Sequence, residues 1–289
     1  MRFVRRLLLL LCAACIAGCS ATQFAYQRLD FLARWELDKY VDMTPEQRTR
    51  FDVEFGLFWD WHRRSELPRY AATLRQITAR TDTPPDAAEL ARWSEQYGAL
   101  WNDALEHLMP LFCSLGGSLS DAQVRSLLAR ADDDLADYAE DAVDGRETDL
   151  RDRAERSLNK SLRRWLGDLT PEQRQRLHEW NRTRPWIAPE WLAFRRSWRD
   201  ALADTLAARQ APGFCPRLSS LVTGGDALWT ETQRADFAAN RERWLALFAD
   251  LGPSLTPAQR QHLRKQLLGL AADLDALSTA PAANAAEGR

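Results

Sequence analysis

LTPEQR, residues Leu169–Arg174, is the stretch on which the fold turns. A Thr followed three residues later by Gln is a capping box. The Thr hydroxyl accepts the N3 amide, and the Gln side chain reaches back to the N-cap amide. Pro171 suits the first helical position, where no amide donor is needed. The stretch therefore starts a helix. The same pattern recurs as Met43-Thr44-Pro45-Glu46-Gln47, Leu119-Ser120-Asp121-Ala122-Gln123, Trp229-Thr230-Glu231-Thr232-Gln233 and Leu255-Thr256-Pro257-Ala258-Gln259. Four residues beyond each Gln stands an apolar residue (Phe51, Leu127, Leu177, Phe237, Leu263), expected to enter the core one turn in. The residue directly after the Gln is Arg in four of the five, so a full hydrophobic staple is not formed there.

Helical periodicity fills the chain between these starts. Phe51, Phe55, Phe58 and His62 share one face, as do Leu90, Trp93, Tyr97, Leu100 and Trp101. No segment alternates with β-branched enrichment. Breaks are expected at Pro84-Pro85, Gly116-Gly117, Pro185 to Pro189, Pro212-Gly213, Gly224-Gly225 and Gly252-Pro253. Trp101-Asn102-Asp103-Ala104-Leu105 matches Trp198-Arg199-Asp200-Ala201-Leu202, and each is followed by a Phe-Cys pair and a capping box. The expectation is an all-α, duplicated multi-helix bundle with units at 19–145 and 146–277 and a disordered tail at 278–289. Spacings between matched positions drift, which argues against a regular solenoid.

Ahead of the bundle, Arg2, Arg5 and Arg6 precede an uncharged run from Leu7 to Ala17, and Ala17-Gly18 precede Cys19. This reads as a signal peptide over residues 1–18 that is too short to span a membrane. Its removal takes three of the 39 basic residues against 41 acidic ones and moves the formal charge from −2 to −5. That balance speaks against nucleic acid as a partner. The body is expected to hang from the membrane on a flexible leash. Cys113 and Cys215 remain in the body, and an even pair in an oxidising compartment suggests one disulfide; two free thiols are the alternative.

The four residues Ile16-Ala17-Gly18-Cys19 resemble the lipobox of bacterial lipoproteins. The resemblance implies cleavage before Cys19, lipidation of its thiol and acylation of the new amino terminus. Several acyl chains hold a protein stably, where one binds marginally. Ser20, rather than Asp, follows the cysteine, which by the sorting rule of such lipoproteins implies the periplasmic face of the outer membrane. Nearly all of the mature chain resembles an uncharacterised family of proteobacterial lipoproteins. The resemblance is carried by the lipobox, the Trp35 helix before Thr44-Pro45-Glu46-Gln47, Trp61-His62-Arg63-Arg64-Ser65-Glu66-Leu67-Pro68, and Arg164-Trp165-Leu166-Gly167 before Leu169-Thr170. It implies no catalytic residues. The repeated Leu-Thr-x-x-Gln is also similar, over five residues only, to the signature of the Spy and CpxP group of periplasmic stress proteins, some of which are chaperones.

Chemistry is sparse. His62, His107, His178 and His262 show no compact metal-ligand spacing, and no phosphate loop or nucleophile elbow is present. Trp61, His62, Arg63 and Glu66 form a dense segment that reads either as a recognition surface, with His62 as a general base beside Glu66, or as a helix end with the Trp in the core. A hydrolase would need His62 or His178 to meet a carboxylate. The run Asp132-Asp133-Asp134 lacks the spacing of a calcium loop and reads as a solvated helix face. Twelve tryptophans are many for 289 residues. At helical spacings most are expected in the core, with some lining a groove that contacts proteins. The expected function is noncatalytic binding of a partner or of unfolded clients by a lipid-anchored envelope protein without cofactor or metal. A structural lipoprotein with one dedicated partner is the alternative.

Overall fold

The structure, a computed structural model, describes residues 18–279, with side chains from Gln23 onwards. Residues 1–17 of the expected signal peptide (1–18) and residues 280–289 of the expected tail (278–289) lie outside the described residues. The chain is all-α, and no strand occurs among the described residues. Helices α1 (Gly18–Gln27) and α2 (Leu29–Leu37) come first. Next are α3 (Pro45–Trp61), a π-helical turn (His62–Glu66) and α4 (Leu67–Ala79), which continue one another. Then follow α5 (Ala87–Ser118), α6 (Asp121–Ala142), α7 (Glu147–Leu166), α8 (Pro171–Thr183), α9 (Ala188–Ala207) and α10 (Phe214–Thr223). A 3-10 turn (Gly225–Leu228) leads into α11 (Glu231–Ser254) and α12 (Pro257–Thr279).

All five capping boxes form. In each, the Thr or Ser hydroxyl accepts from the Gln amide and the Gln Oε1 accepts from the cap residue's N–H. Four of the five go further and join in pairs. Gln47 donates from Nε2 to Gln123 Oε1 (3.2 Å) and Gln123 donates back to Gln47 Oε1 (2.7 Å). Each also donates to the carbonyl two residues before the other's cap, Gln47 to Ser118 O (3.0 Å) and Gln123 to Asp42 O (2.7 Å). Gln173 and Gln259 repeat the arrangement, with amide contacts of 2.9 and 2.8 Å and carbonyl partners Ser254 (3.1 Å) and Asp168 (2.8 Å). Each amide thus uses both donors and both lone pairs. The result is two clasps, one tying the starts of α3 and α6, the other those of α8 and α12.

The Arg that stands where a staple residue would has its own task. Arg48, Arg174, Arg234 and Arg260 donate to the carbonyl just before their caps, at Met43, Leu169, Trp229 and Leu255. In α6 that position is Val124, and Arg209, beyond α9, supplies the missing donor to Leu119 O at 2.7 Å. Gly116-Gly117 and Gly252-Pro253 lie inside the last turns of α5 and α11, not in loops. The breaks fall two residues later, where each C-terminus runs directly into the next cap.

The main core gathers α2, α3, the C-terminal half of α5, and parts of α6, α9 and α10 around Phe51, Phe55, Leu108, Leu111 and Phe214. A second core joins α7, α8, α11 and α12 around Leu177 and Leu251. A third packs Tyr26 of α1 and Leu67 of α4 against Leu274 and Leu277 of α12. At residue 167, α7 ends on a glycine with φ +78°, a conformation that side chains disfavour. Gly116 lets Phe214 approach α5, since a Cβ there would meet the ring at 3.0 Å. Next to this contact a disulfide joins Cys113 of α5 to Cys215 of α10, with Cα atoms 5.1 Å apart. Ahead of the core no leash separates Cys19 from the bundle. Helix α1 begins at Gly18, and Gln23 donates to Asp273 of α12 at 2.9 Å. The far end also departs from expectation, since Ser278 and Thr279 are helical.

Candidate functional site: an aromatic groove

Within the segment Trp61–Glu66, His62, Arg63 and Glu66 turn into the interior, Trp61 is partly buried, and Arg64 and Ser65 stay exposed. Pro68 has no N–H to offer the preceding turn, and its ring would clash with a regular helix. The chain opens into a π turn just ahead of it, with Leu67 N–H bonded to His62 O. His62 continues the Phe51, Phe55, Phe58 stripe into the core, where its Nδ1 and the Tyr26 hydroxyl are hydrogen-bonded at 2.9 Å. Burial pulls the His62 imidazole down to about 4, so it is neutral at pH 7. Arg63 donates to Leu277 O at 3.3 Å, and Glu66 Oε1 accepts from Arg69 at 2.7 Å. His62, Arg63 and Glu66 are all buried, and Trp61 stacks on His107 with ring centres 3.4 Å apart. These four residues therefore tie α1, α5 and α12 to the bent α3–α4 helix and present no recognition surface. The general-base reading of His62 fails on the same geometry.

Elsewhere, His178 does meet a carboxylate, with Nδ1 3.0 Å from Glu155 Oε2. The same oxygen accepts from Asn181 at 3.3 Å, so the contact joins α7 to α8. The acidic run is not a bare solvated face. Asp134 is buried and accepts from Tyr40 OH at 2.5 Å, while Asp132 pairs with Arg199 at 2.6 Å. Cys19 lies in the first turn of α1, and its side chain is outside the described residues. No helix among the described residues is long and apolar enough to cross a membrane.

Two cavities are lined mainly by apolar side chains. One, of about 190 Å³, sits in the main core and is lined almost wholly by apolar atoms of Leu37, Phe55, Leu111, Leu202 and their neighbours. It offers water few partners. The other is an open groove of about 540 Å³ between the N-terminal half of α5 and the α9–α11 region. Its walls are aromatic: Trp93 and Tyr97 from α5, Trp191 from α9, Trp229 before α11, and Phe237, Trp244 and Phe248 from α11. Trp229 and Phe237 meet edge to face at 4.9 Å, and Trp191 meets Phe237 at 5.7 Å. Trp180 backs Trp244 at 4.3 Å and spends its indole N–H on Arg243 O. Arg241 crosses to the opposite wall, donating to Ala91 O at 3.3 Å.

Two polar atoms in this groove have no partner. Trp229 Nε1 is a buried donor, and Asn240 Oδ1, on a side chain only 9 % exposed, is a buried acceptor. Elsewhere the indoles of Trp180 and Trp198 each donate to a carbonyl. A buried unpaired donor or acceptor costs roughly 1–3 kcal/mol, so each of these atoms carries a local cost just beneath the accessible aromatic surface. Nothing in the local spacing foretold the groove, because its walls come from residues 90–97, 187–191 and 229–248. The core expectation for the tryptophans is also corrected at Trp35, which is half exposed.

No curated protein and no solved structure matches the chain. A family model does: over residues 39–234 the sequence fits DUF6279, described as a family of unknown function. The match takes in the clasped starts of α3 and α6, the disulfide and the unpaired capping box at Thr230, and on it the chain belongs to that family.

Proposed function

We propose that this chain is a noncatalytic, lipid-anchored protein of the bacterial envelope that binds an extended, aromatic or aliphatic segment of a protein partner in the groove between α5 and α11. The observation that carries the reading is the open aromatic surface of the groove, walled by Trp93, Tyr97, Trp191, Phe237, Trp244 and Phe248. The side chains of such a segment offer apolar area to the rings, and its backbone can pair with Trp229 Nε1 and Asn240 Oδ1 once those side chains turn outward. Anchoring rests on Ile16-Ala17-Gly18-Cys19 behind an apolar run. The Cys113–Cys215 bond suits an oxidising compartment such as the periplasm. The Leu-Thr-x-x-Gln elements need no client-binding role, since their glutamines are engaged in caps and clasps.

The test is photocrosslinking in cells from position 245, on the groove wall. One dominant adduct supports a dedicated partner, and a broad ladder supports unfolded clients. An intact, correctly localised protein with no adduct refutes the groove reading. Membrane fractionation of Cys19→Ala tests the anchor separately: an unchanged membrane fraction removes it.

A further inference from the structure

The large apolar side chains left in solvent include a group at the N-terminal edge of the bundle. Phe24 is 65 % exposed, Phe31 59 %, Trp35 50 %, Val53 61 % and Leu57 69 %. Leu29 and Ala33 of α2, and Phe51, Phe55 and Phe58 of α3, point into the core, so Phe31, Trp35, Val53 and Leu57 stand on the opposite sides of the two helices. Arg34 pairs with Asp52 at 2.6 Å and Arg48 with Asp38 at 3.3 Å, which sets α2 and α3 antiparallel with residue 33 level with residue 53. In that register Leu57, Phe31, Val53 and Trp35 alternate along one outward face, and Phe24 extends it toward α1.

We infer that this face lies on the membrane surface, with its rings and aliphatic side chains inserted among the lipid headgroups. The inference rests on the proposal that Cys19 carries acyl chains. Three observations select lipid as the occupant. First, Cys19 stands five residues before Phe24 on the same helix, about 7.5 Å along its axis. Second, α1 is not free to swing, because Gln23 is bonded to Asp273 and Tyr26 stacks on Trp59 at 4.0 Å. An anchor at residue 19 therefore brings this face close to the bilayer. Third, the rings are accompanied by cations. Arg28 lies over Phe24 at 5.6 Å, and Lys39 over Trp35 at 3.5 Å. Aromatic rings beside Lys and Arg are the composition of interfacial segments, where the rings sit at headgroup depth and the cations meet phosphates.

The test uses the full chain purified from membranes, with Val53→Cys or Leu57→Cys carrying an environment-sensitive fluorophore. Both positions are exposed, so neither change disturbs the core. Lys160→Cys on α7, also exposed, is the control. Each protein is reconstituted into phosphatidylethanolamine–phosphatidylglycerol vesicles doped with nitroxide lipid, and its intact mass reports acylation. The expected result is quenching at 53 and 57 roughly threefold stronger than at 160. Equal quenching at all three positions overturns the inference, whatever the mass and whether or not dimers form through the new cysteines. A mass without acyl chains removes the anchor. Strong quenching at 53 and 57 would uphold the face even then.

Discussion

Replacing Gln173 by Ala dissects the clasp. The side chain is 0 % exposed, and its amide bonds four groups: it accepts from Thr170 N–H, donates to Ser254 (O and Oγ sharing one N–H), and bonds both ways with Gln259. At about 1 kcal/mol net for each bond, the loss is about 4 kcal/mol, most of it from partners stranded in the interior. Gln259→Ala strands the same pair from the other side and costs a similar amount. The double variant leaves no widowed amide, so it costs about 2 kcal/mol less than the sum. Gln233→Ala supplies the internal standard. That amide bonds only Thr230 N–H and Glu190 O, which sets its cost at about 2 kcal/mol. Gln173→Glu keeps the volume but turns a carboxylate toward Ser254 O and Gln259 Oε1, so it is expected to be no milder than Ala. Urea titrations of the purified protein, followed by far-ultraviolet circular dichroism, read all of these. Additivity of the Gln173 and Gln259 costs within about 0.5 kcal/mol, or a Gln233 cost equal to that of Gln173, refutes the clasp as a cooperative unit.

Acid weakens the fold through His62. The unfolded imidazole takes up its proton near its ordinary value of 6.5, whereas the buried one waits until about 4, so stability is full above 6.5 and falls by about 3 kcal/mol on the way down to 4. His62→Asn flattens that part of a pH–stability profile; an unchanged slope would contradict the assignment. Removing the disulfide with Cys113→Ser and Cys215→Ser frees a sequence separation of 102 residues. About 4 kcal/mol of stability is expected to go with it, seen as a drop of roughly 10 °C in Tm, and an unchanged Tm under reductant would count against it. Asn240→Leu removes an unpaired buried acceptor, so the empty protein gains about 1 kcal/mol while the crosslink from position 245 is lost. Loss of both stability and crosslink would instead mark Asn240 as structural.

Helix starts were legible because a capping box is local: Thr170 and Gln173 satisfy each other within one turn, and four such residues state it. The clasp was not, because its partners stand 76 and 86 residues apart. A signal for it does exist. Leu115-Gly116-Gly117-Ser118-Leu119-Ser120-Asp121-Ala122-Gln123 and Leu251-Gly252-Pro253-Ser254-Leu255-Thr256-Pro257-Ala258-Gln259 repeat one pattern around both clasps. Matching Trp101 with Trp198 instead paired the α6 box with the lone Thr230 box. His62 misled for a related reason. Its sequence neighbours are Arg, Ser and Glu, which look like surface, yet its helical phase follows Phe55 and Phe58, and phase decides burial. Pro68 was the hint that the helix must open nearby, but only the three-dimensional chain shows that the opening turns Arg63 and Glu66 inward.

The fifth capping box explains where the groove lies. In each clasp two helix starts face each other, their amides saturate, and no polar atom of the four glutamines is left over. At α11 the box is alone. Gln233 finds only a carbonyl, that of Glu190 in the first turn of α9, a helix start that has no capping box of its own. The residue before that cap is Trp229, whereas the four clasped boxes carry Met43, Leu119, Leu169 and Leu255, all buried. A larger ring at this position, beside an unmatched capping box, stays partly exposed while its N–H is buried and unpaired. Phe237, one turn into the same helix, adds the next wall. One structural device thus seals the bundle where it is doubled and leaves it open where it is single. If so, Trp229→Leu brings the fifth box to the sequence of the others and is expected to close the groove: the crosslink from position 245 falls while the urea midpoint holds or rises. A crosslink undiminished by Trp229→Leu would show that the groove does not depend on the unpaired box.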